Sequence, residues 1–103
     1  MAIAWVQEFE VQGSDRSTTN YDAVAQRVNA ENDPPRGLIL HTAGFDEQAG
    51  VFRIFDVWES REHRERFHAE RLKPILDEVM AGAAGAGPPS REYEYELHDV
   101  APR

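Results

Sequence analysis

Hydrophobic and polar positions repeat along the chain with two periods, and the pattern predicts elements in the order β-α-β-β-α-β. From Ala2 to Val11, Ile3, Trp5, Phe9 and Val11 share one face. Ala4, Val6, Glu8 and Glu10 share the other, which is the period of a strand. Gln12-Gly13-Ser14-Asp15 breaks it with turn chemistry. Tyr21, Val24, Ala25 and Val28 then recur at i, i+3, i+4 and i+7. That spacing predicts a helix with one apolar stripe, opened by Thr18 or Thr19 as cap and stopped before Pro34-Pro35. Arg36 to Phe45 reads as a second strand, with Leu38, Leu40 and Thr42 opposite Ile39, His41 and Ala43. In the third, Val51 to Glu59, the residues Val51, Arg53, Phe55 and Val57 stand against Phe52, Ile54, Asp56 and Trp58. A hairpin turn over Asp46 to Gly50 joins the two.

Ser60 is a good N-cap for a second helix, whose charged first half places Glu62–Arg66 and Arg66–Glu70 at the supporting i, i+4 spacing. Its second half is apolar at Leu72, Ile75, Leu76, Val79 and Met80. Pro74 between the halves predicts a kink, or a fresh start with the proline in the first turn. Gly82 to Pro89 reads as a flexible connector. It lacks the Lys-Ser/Thr ending of a phosphate loop and precedes a strand instead of a helix. The last strand, Arg91 to Leu97, has Tyr93, Tyr95 and Leu97 on one face and Glu92, Glu94 and Glu96 on the other.

This order is that of a ferredoxin-like α+β domain over residues 1–103, an antiparallel sheet with both helices on one face. Two helices cover one side only, yet the second and third strands are apolar on both. Leaving one of those faces in water would forgo several kcal/mol at about 25 cal/mol per Å². The pattern therefore predicts a homodimer packed sheet against sheet. The 103 residues contain no cysteine, which excludes disulfides, thiolate nucleophiles and thiolate metal sites. The net charge of −8 argues against a nucleic-acid surface, and no apolar run approaches the length needed to span a bilayer. The expectation is a soluble cytoplasmic protein with neither nucleic acid nor membrane as partner.

The stretch FRIFDVWESREHRERFHAERLKPIL (Phe52 to Leu76), following GLILHTAG, resembles the dimeric α+β barrel superfamily, and within it the small antibiotic-biosynthesis-monooxygenase-like proteins. The likeness follows the element order over nearly the whole chain. It is sharpest where the strand ending Trp58-Glu59-Ser60 runs into a charged helix. It implies a homodimer with a ligand pocket in each subunit between sheet and helices. Activities found under this resemblance include cofactor-independent oxygenation of phenols and quinols, haem degradation and cyclisation. Haem-degrading relatives use a first-strand Asn, a helix Trp and a later helix His; these positions fall on Gln7, Phe67 and Asp77, and none matches. Quinol-oxygenase relatives carry a second-helix His at the place of Phe67, with His68 one residue further on.

Candidate chemistry follows from polar breaks in apolar faces. Gln7 interrupts the face of Trp5 and Phe9, and a buried amide there needs a partner that a ligand can supply. Trp5, Phe9, Tyr21, Trp58, Phe67, Tyr93 and Tyr95 are candidate walls for a flat aromatic ligand. His41, mid-strand among aliphatic neighbours, and His68, in a stripe with Leu72, Ile75 and Val79, are the candidate catalytic bases. Arg53 and Asp56 are polar breaks on opposite faces of the third strand, each expected to pair with a charge across the dimer contact or at the pocket edge, and Asp56 is a further candidate catalytic carboxylate. His63 and His68 are five residues apart, about 140° around a helix, and do not share a metal ion. The mechanism this inventory supports uses neither metal nor cofactor: the pocket deprotonates an electron-rich aromatic, which then reacts with dioxygen. The alternatives are an aromatic or polyketide cyclase, and a non-catalytic small-molecule-binding or stress-related dimer using the same cavity.

Overall fold

A computed structural model describes residues 1–80 and 88–102. Strands β1 (Ile3–Glu10), β2 (Leu38–Asp46), β3 (Val51–Trp58) and β4 (Arg91–Glu96) form one sheet in the order β2-β3-β1-β4, antiparallel throughout. Helix α1 (Thr19–Val28) follows β1. After β3 come α2 (Arg61–Phe67), a π-helical turn (His68–Leu72) and α3 (Lys73–Met80). The predicted element order and the ferredoxin-like strand order are both present. The predicted connector over Gly82 to Pro89 lies outside the described residues up to residue 87. Among the described residues no helix is long and apolar enough to cross a membrane.

Pairing register sorts each strand into a front face toward the helices and a rear face. Ile3, Trp5, Gln7 and Phe9 stand opposite Trp58, Asp56, Ile54 and Phe52 on the front. Ile3, Trp5 and Trp58 are buried there, with Leu38, Phe67 and Leu72 packed against them. Two assignments differ from the simple alternation. In β2 the register shifts between Leu38 and Leu40, skipping Ile39, so Leu38 lies opposite Trp58 on the front while Leu40 and Thr42 oppose Val57 and Phe55 on the rear. A bulge of this kind changes the face of every residue on one side of it. In β4, Glu92, Glu94 and Glu96 pair with Gln7, Trp5 and Ile3 and so take the front, which leaves Tyr93 and Tyr95 on the rear opposite Val6 and Ala4.

The second helical segment and β1 supply partners for two of those glutamates. Arg61 and Arg64 reach Glu94, and Trp5 Nε1 donates to Glu92 at 3.1 Å. Part of the charged half of this segment is thus a clasp onto β4 as well as a solvated face. Ser60 caps α2, its hydroxyl accepting from the His63 backbone N–H at 3.2 Å. Thr18 makes no such cap, because its hydroxyl donates to the Asp22 carboxylate instead. Pro74 sits second in α3, directly after the π turn, where Lys73 N–H bonds to His68 O five residues back. The turn absorbs the donor the proline lacks and adds one residue to the helical stripe.

On the rear face, Val6 and Val57 are buried, while Leu40 is 49% and Tyr95 45% exposed. At one end of this face Arg53 donates to Glu8 at 2.8 Å and to Asp46 at 2.7 Å. These two partners are in its own chain.

Candidate active site

Between the front face and the helices lies a cleft of about 1440 Å³, more than the ~300–1,000 Å³ of a typical small-molecule site. Each wall follows from the local pattern. The α1 stripe presents Tyr21 and Val24, β1 presents Trp5, Gln7 and Phe9, and β3 presents Phe52, Ile54, Asp56 and Trp58. The helix beyond β3 contributes Phe67, Leu72 and Leu76. The spacing of five from Phe67 to Leu72, then four to Leu76, is the extra residue of the π turn.

One polar constellation interrupts these walls. His41 of β2 and Asp56 of β3 are directly opposed in the hairpin, and His41 Nδ1 lies 2.5 Å from Asp56 Oδ1. Asp56 is 5% exposed, whereas the His41 side chain keeps 35% of its surface open. A carboxylate only accepts, so Nδ1 carries the proton and Nε2 is the basic nitrogen of the neutral ring. The Tyr21 hydroxyl stands 2.7 Å from Nε2 and donates to it. The Tyr21 ring is held edge-on to Phe52, centroids 5.3 Å apart, and lies parallel to the imidazole.

The electrostatics follow this geometry. The hydrogen bond to Asp56 raises the His41 pKa above its ordinary value, with the carboxylate charge adding to it and burial opposing. Burial raises the Tyr21 pKa, and the charges of Asp56 and Asp22 raise it further, so this phenol stays protonated. A carboxylate that fixes the tautomer and offsets imidazolium charge equips the histidine to take a proton from a bound acid.

Of the residues singled out by sequence, Trp5, Gln7, Phe9, Tyr21, His41, Trp58 and Phe67 line the cleft. Tyr93 does not. It stands on the rear face opposite Val6, because β4 turns its glutamates to the front. His68 is not on the cleft wall either. One residue is about 100° of helix rotation, and with the π turn the lining stripe runs through Phe67, placing the His68 ring edge-on to Trp5 with centroids 6.2 Å apart. His63 Nδ1 bonds the Ser60 hydroxyl, and His98 is exposed. The pairing of His41 with Asp56 was missed, although its signal is in the sequence: a turn that sets Asp46 opposite Val51 sets His41 opposite Asp56 by counting outward.

No family model and no curated protein sequence matches the chain, whereas solved structures do. SnoaB from Streptomyces nogalater, named a cofactor-independent oxygenase, superposes with a TM-score of 0.64 at 16% identity, over 99% of this chain and 98% of that one. Rv0793 from Mycobacterium tuberculosis gives 0.67 at 16% identity, over 98% and 99%. A protein of Caulobacter crescentus, named provisionally as an antibiotic biosynthesis monooxygenase, gives 0.68 at 12% identity, over 95% and 91%. At these identities the likeness establishes architecture: the chain shares the ferredoxin-like fold of these structures.

Proposed function

We propose that this protein is a cofactor-independent monooxygenase for a small hydroxylated aromatic, working as a homodimer. The observation that carries the reading is the His41–Asp56 pair at the wall of a wide, aromatic-lined cleft. Trp5, Phe9, Phe52, Trp58 and Phe67 offer a flat ligand faces and edges to pack on, and Gln7 offers an amide to a carbonyl or hydroxyl. The names of SnoaB and the Caulobacter protein support the same reaction class.

In this reading the dyad takes the hydroxyl proton of the substrate, and the resulting oxyanion spreads its charge onto a ring carbon. Dioxygen adds at that carbon, the proton returns to the peroxide so formed, and loss of water leaves a carbonyl. One oxygen atom ends in product and one in water, with all the electrons supplied by the substrate. The protein supplies base, platform and shelter from solvent. A second copy of the chain covers the rear face, where Leu40 and Tyr95 are half exposed.

Oxygen uptake with a panel of quinols and polycyclic phenols tests the reaction. Wild type should consume dioxygen, His41→Asn should lose about 10²-fold or more, and His68→Ala should retain activity. A flat trace for wild type across the panel sinks the oxygenase reading.

A further inference from the structure

The basic nitrogen of His41 does not face the cleft unobstructed. Nε2 is already bonded, at 2.7 Å, to the hydroxyl of Tyr21. We propose that Tyr21 is the catalytic residue that meets the substrate hydroxyl and relays its proton to His41. The inference rests on the reading of His41 as the base and assigns the atom that touches the substrate. A hydroxyl oxygen that donates its own proton still has lone pairs to accept another, so Tyr21 can take a proton on one side while giving one up on the other. The substrate O–H bond breaks as a new O–H bond forms on Tyr21. The original Tyr21 proton passes to Nε2, and the imidazolium keeps its Nδ1–H on Asp56. One proton has moved in all, Tyr21 is again a neutral phenol, and its new hydroxyl donates to the substrate oxyanion it has just created.

Three further observations fit this role. The ring of Tyr21 is parallel to the imidazole and braced by Phe52, so its hydroxyl has a defined position. Tyrosine and histidine come from different layers, α1 and β2, so their contact is made by the fold, and both line the cleft. The burial and the negative charges of Asp22 and Asp56 that keep Tyr21 protonated make a lasting tyrosinate unfavourable, which suits a group that passes protons without storing charge. The relay also selects its substrate. The proton ends on an imidazole, so the hydroxyls ionised to a useful extent are those about as acidic as the imidazolium or more so. These are phenols carrying an electron-withdrawing group in conjugation, not simple phenols.

The test uses 4-nitrophenol, whose anion absorbs in the visible, bound to the intact protein under nitrogen. Wild type should raise the phenolate-to-phenol ratio of the bound probe by about tenfold or more over free probe at the same pH. Tyr21→Phe should still bind the probe but lose most of that rise, and His41→Asn should lose it all. Tyr21→Gln, which keeps a donor toward Nε2 without an ionisable hydroxyl, should lose it as Tyr21→Phe does, and it decides the matter if the Phe variant does not fold. A wild-type rise preserved in either folded Tyr21 variant overturns the relay and leaves His41 as a base that meets the phenol directly. A wild-type protein that binds no probe, or binds it without any rise, overturns the base reading and the relay together.

Discussion

At the scale of single residues, the site turns on which way the Asp56 carboxylate pushes His41. The hydrogen bond between them raises the His41 pKa above the ordinary 6.5. A base works in its neutral form, so oxygen uptake should fall on the acid side with a midpoint above pH 6.5. Asp56→Asn removes the largest cause of the shift. Its acid limb should move to lower pH while kcat/KM drops about 10²-fold or more, read from a pH–rate profile of both proteins. The same shift bears on stability with the opposite arithmetic from a carboxylate. A raised folded-state pKa contributes fully below the unfolded value near 6.5, and its contribution is lost as pH rises through the folded value. Urea midpoints on either side of that range should show this pH dependence in wild type and not in His41→Asn.

At the scale of elements, two irregularities position the walls. The bulge at Ile39 lets Leu38 stay in the core while His41 turns to the cleft, and the π turn before Pro74 brings Phe67, Leu72 and Leu76 into line. Proline and hairpin were both visible in the sequence, but the bulge and the π turn were not, because each is a one-residue adjustment decided by what the strand or helix packs against. Gly37, at the entry to β2, has φ +88, and a Cβ there would run into the His63 ring. Gly37→Ala should cost about 1–3 kcal/mol, a fall of some 4–8 °C in Tm per kcal/mol for a chain of this size, measured by thermal melting. Ser60→Ala should cost about 1 kcal/mol through the lost α2 cap.

For the whole molecule the rear of the sheet is the deciding surface. Val6 and Val57 lie under its apolar side chains, while Leu40 and Tyr95 stay about half exposed in the single chain. Light scattering should find wild type as a dimer at micromolar concentration. A Leu40→Glu, Tyr95→Glu double variant alters only half-exposed positions, and it should remain folded and run as a monomer. Sheet-to-sheet association also bears on the cleft. In the proposed dimer the partner shields the strands that carry His41 and Asp56, so the monomeric variant should lose oxygen uptake as well.

The alternation of apolar residues by itself determined the element order, the strand order of the fold and the apolar character of both faces of β2 and β3. Local periodicity is set by the residues of one segment, and six segments of known type leave few ways to pack. It also marked Tyr21, His41 and Asp56 one at a time. The contact of Tyr21 with the His41–Asp56 pair, the turning of Tyr93 to the rear, and the displacement of His68 from the cleft wall belong to the tertiary structure alone. Each depends on register and helix phase, where a shift of one residue reverses a strand face or turns a helix by about 100°.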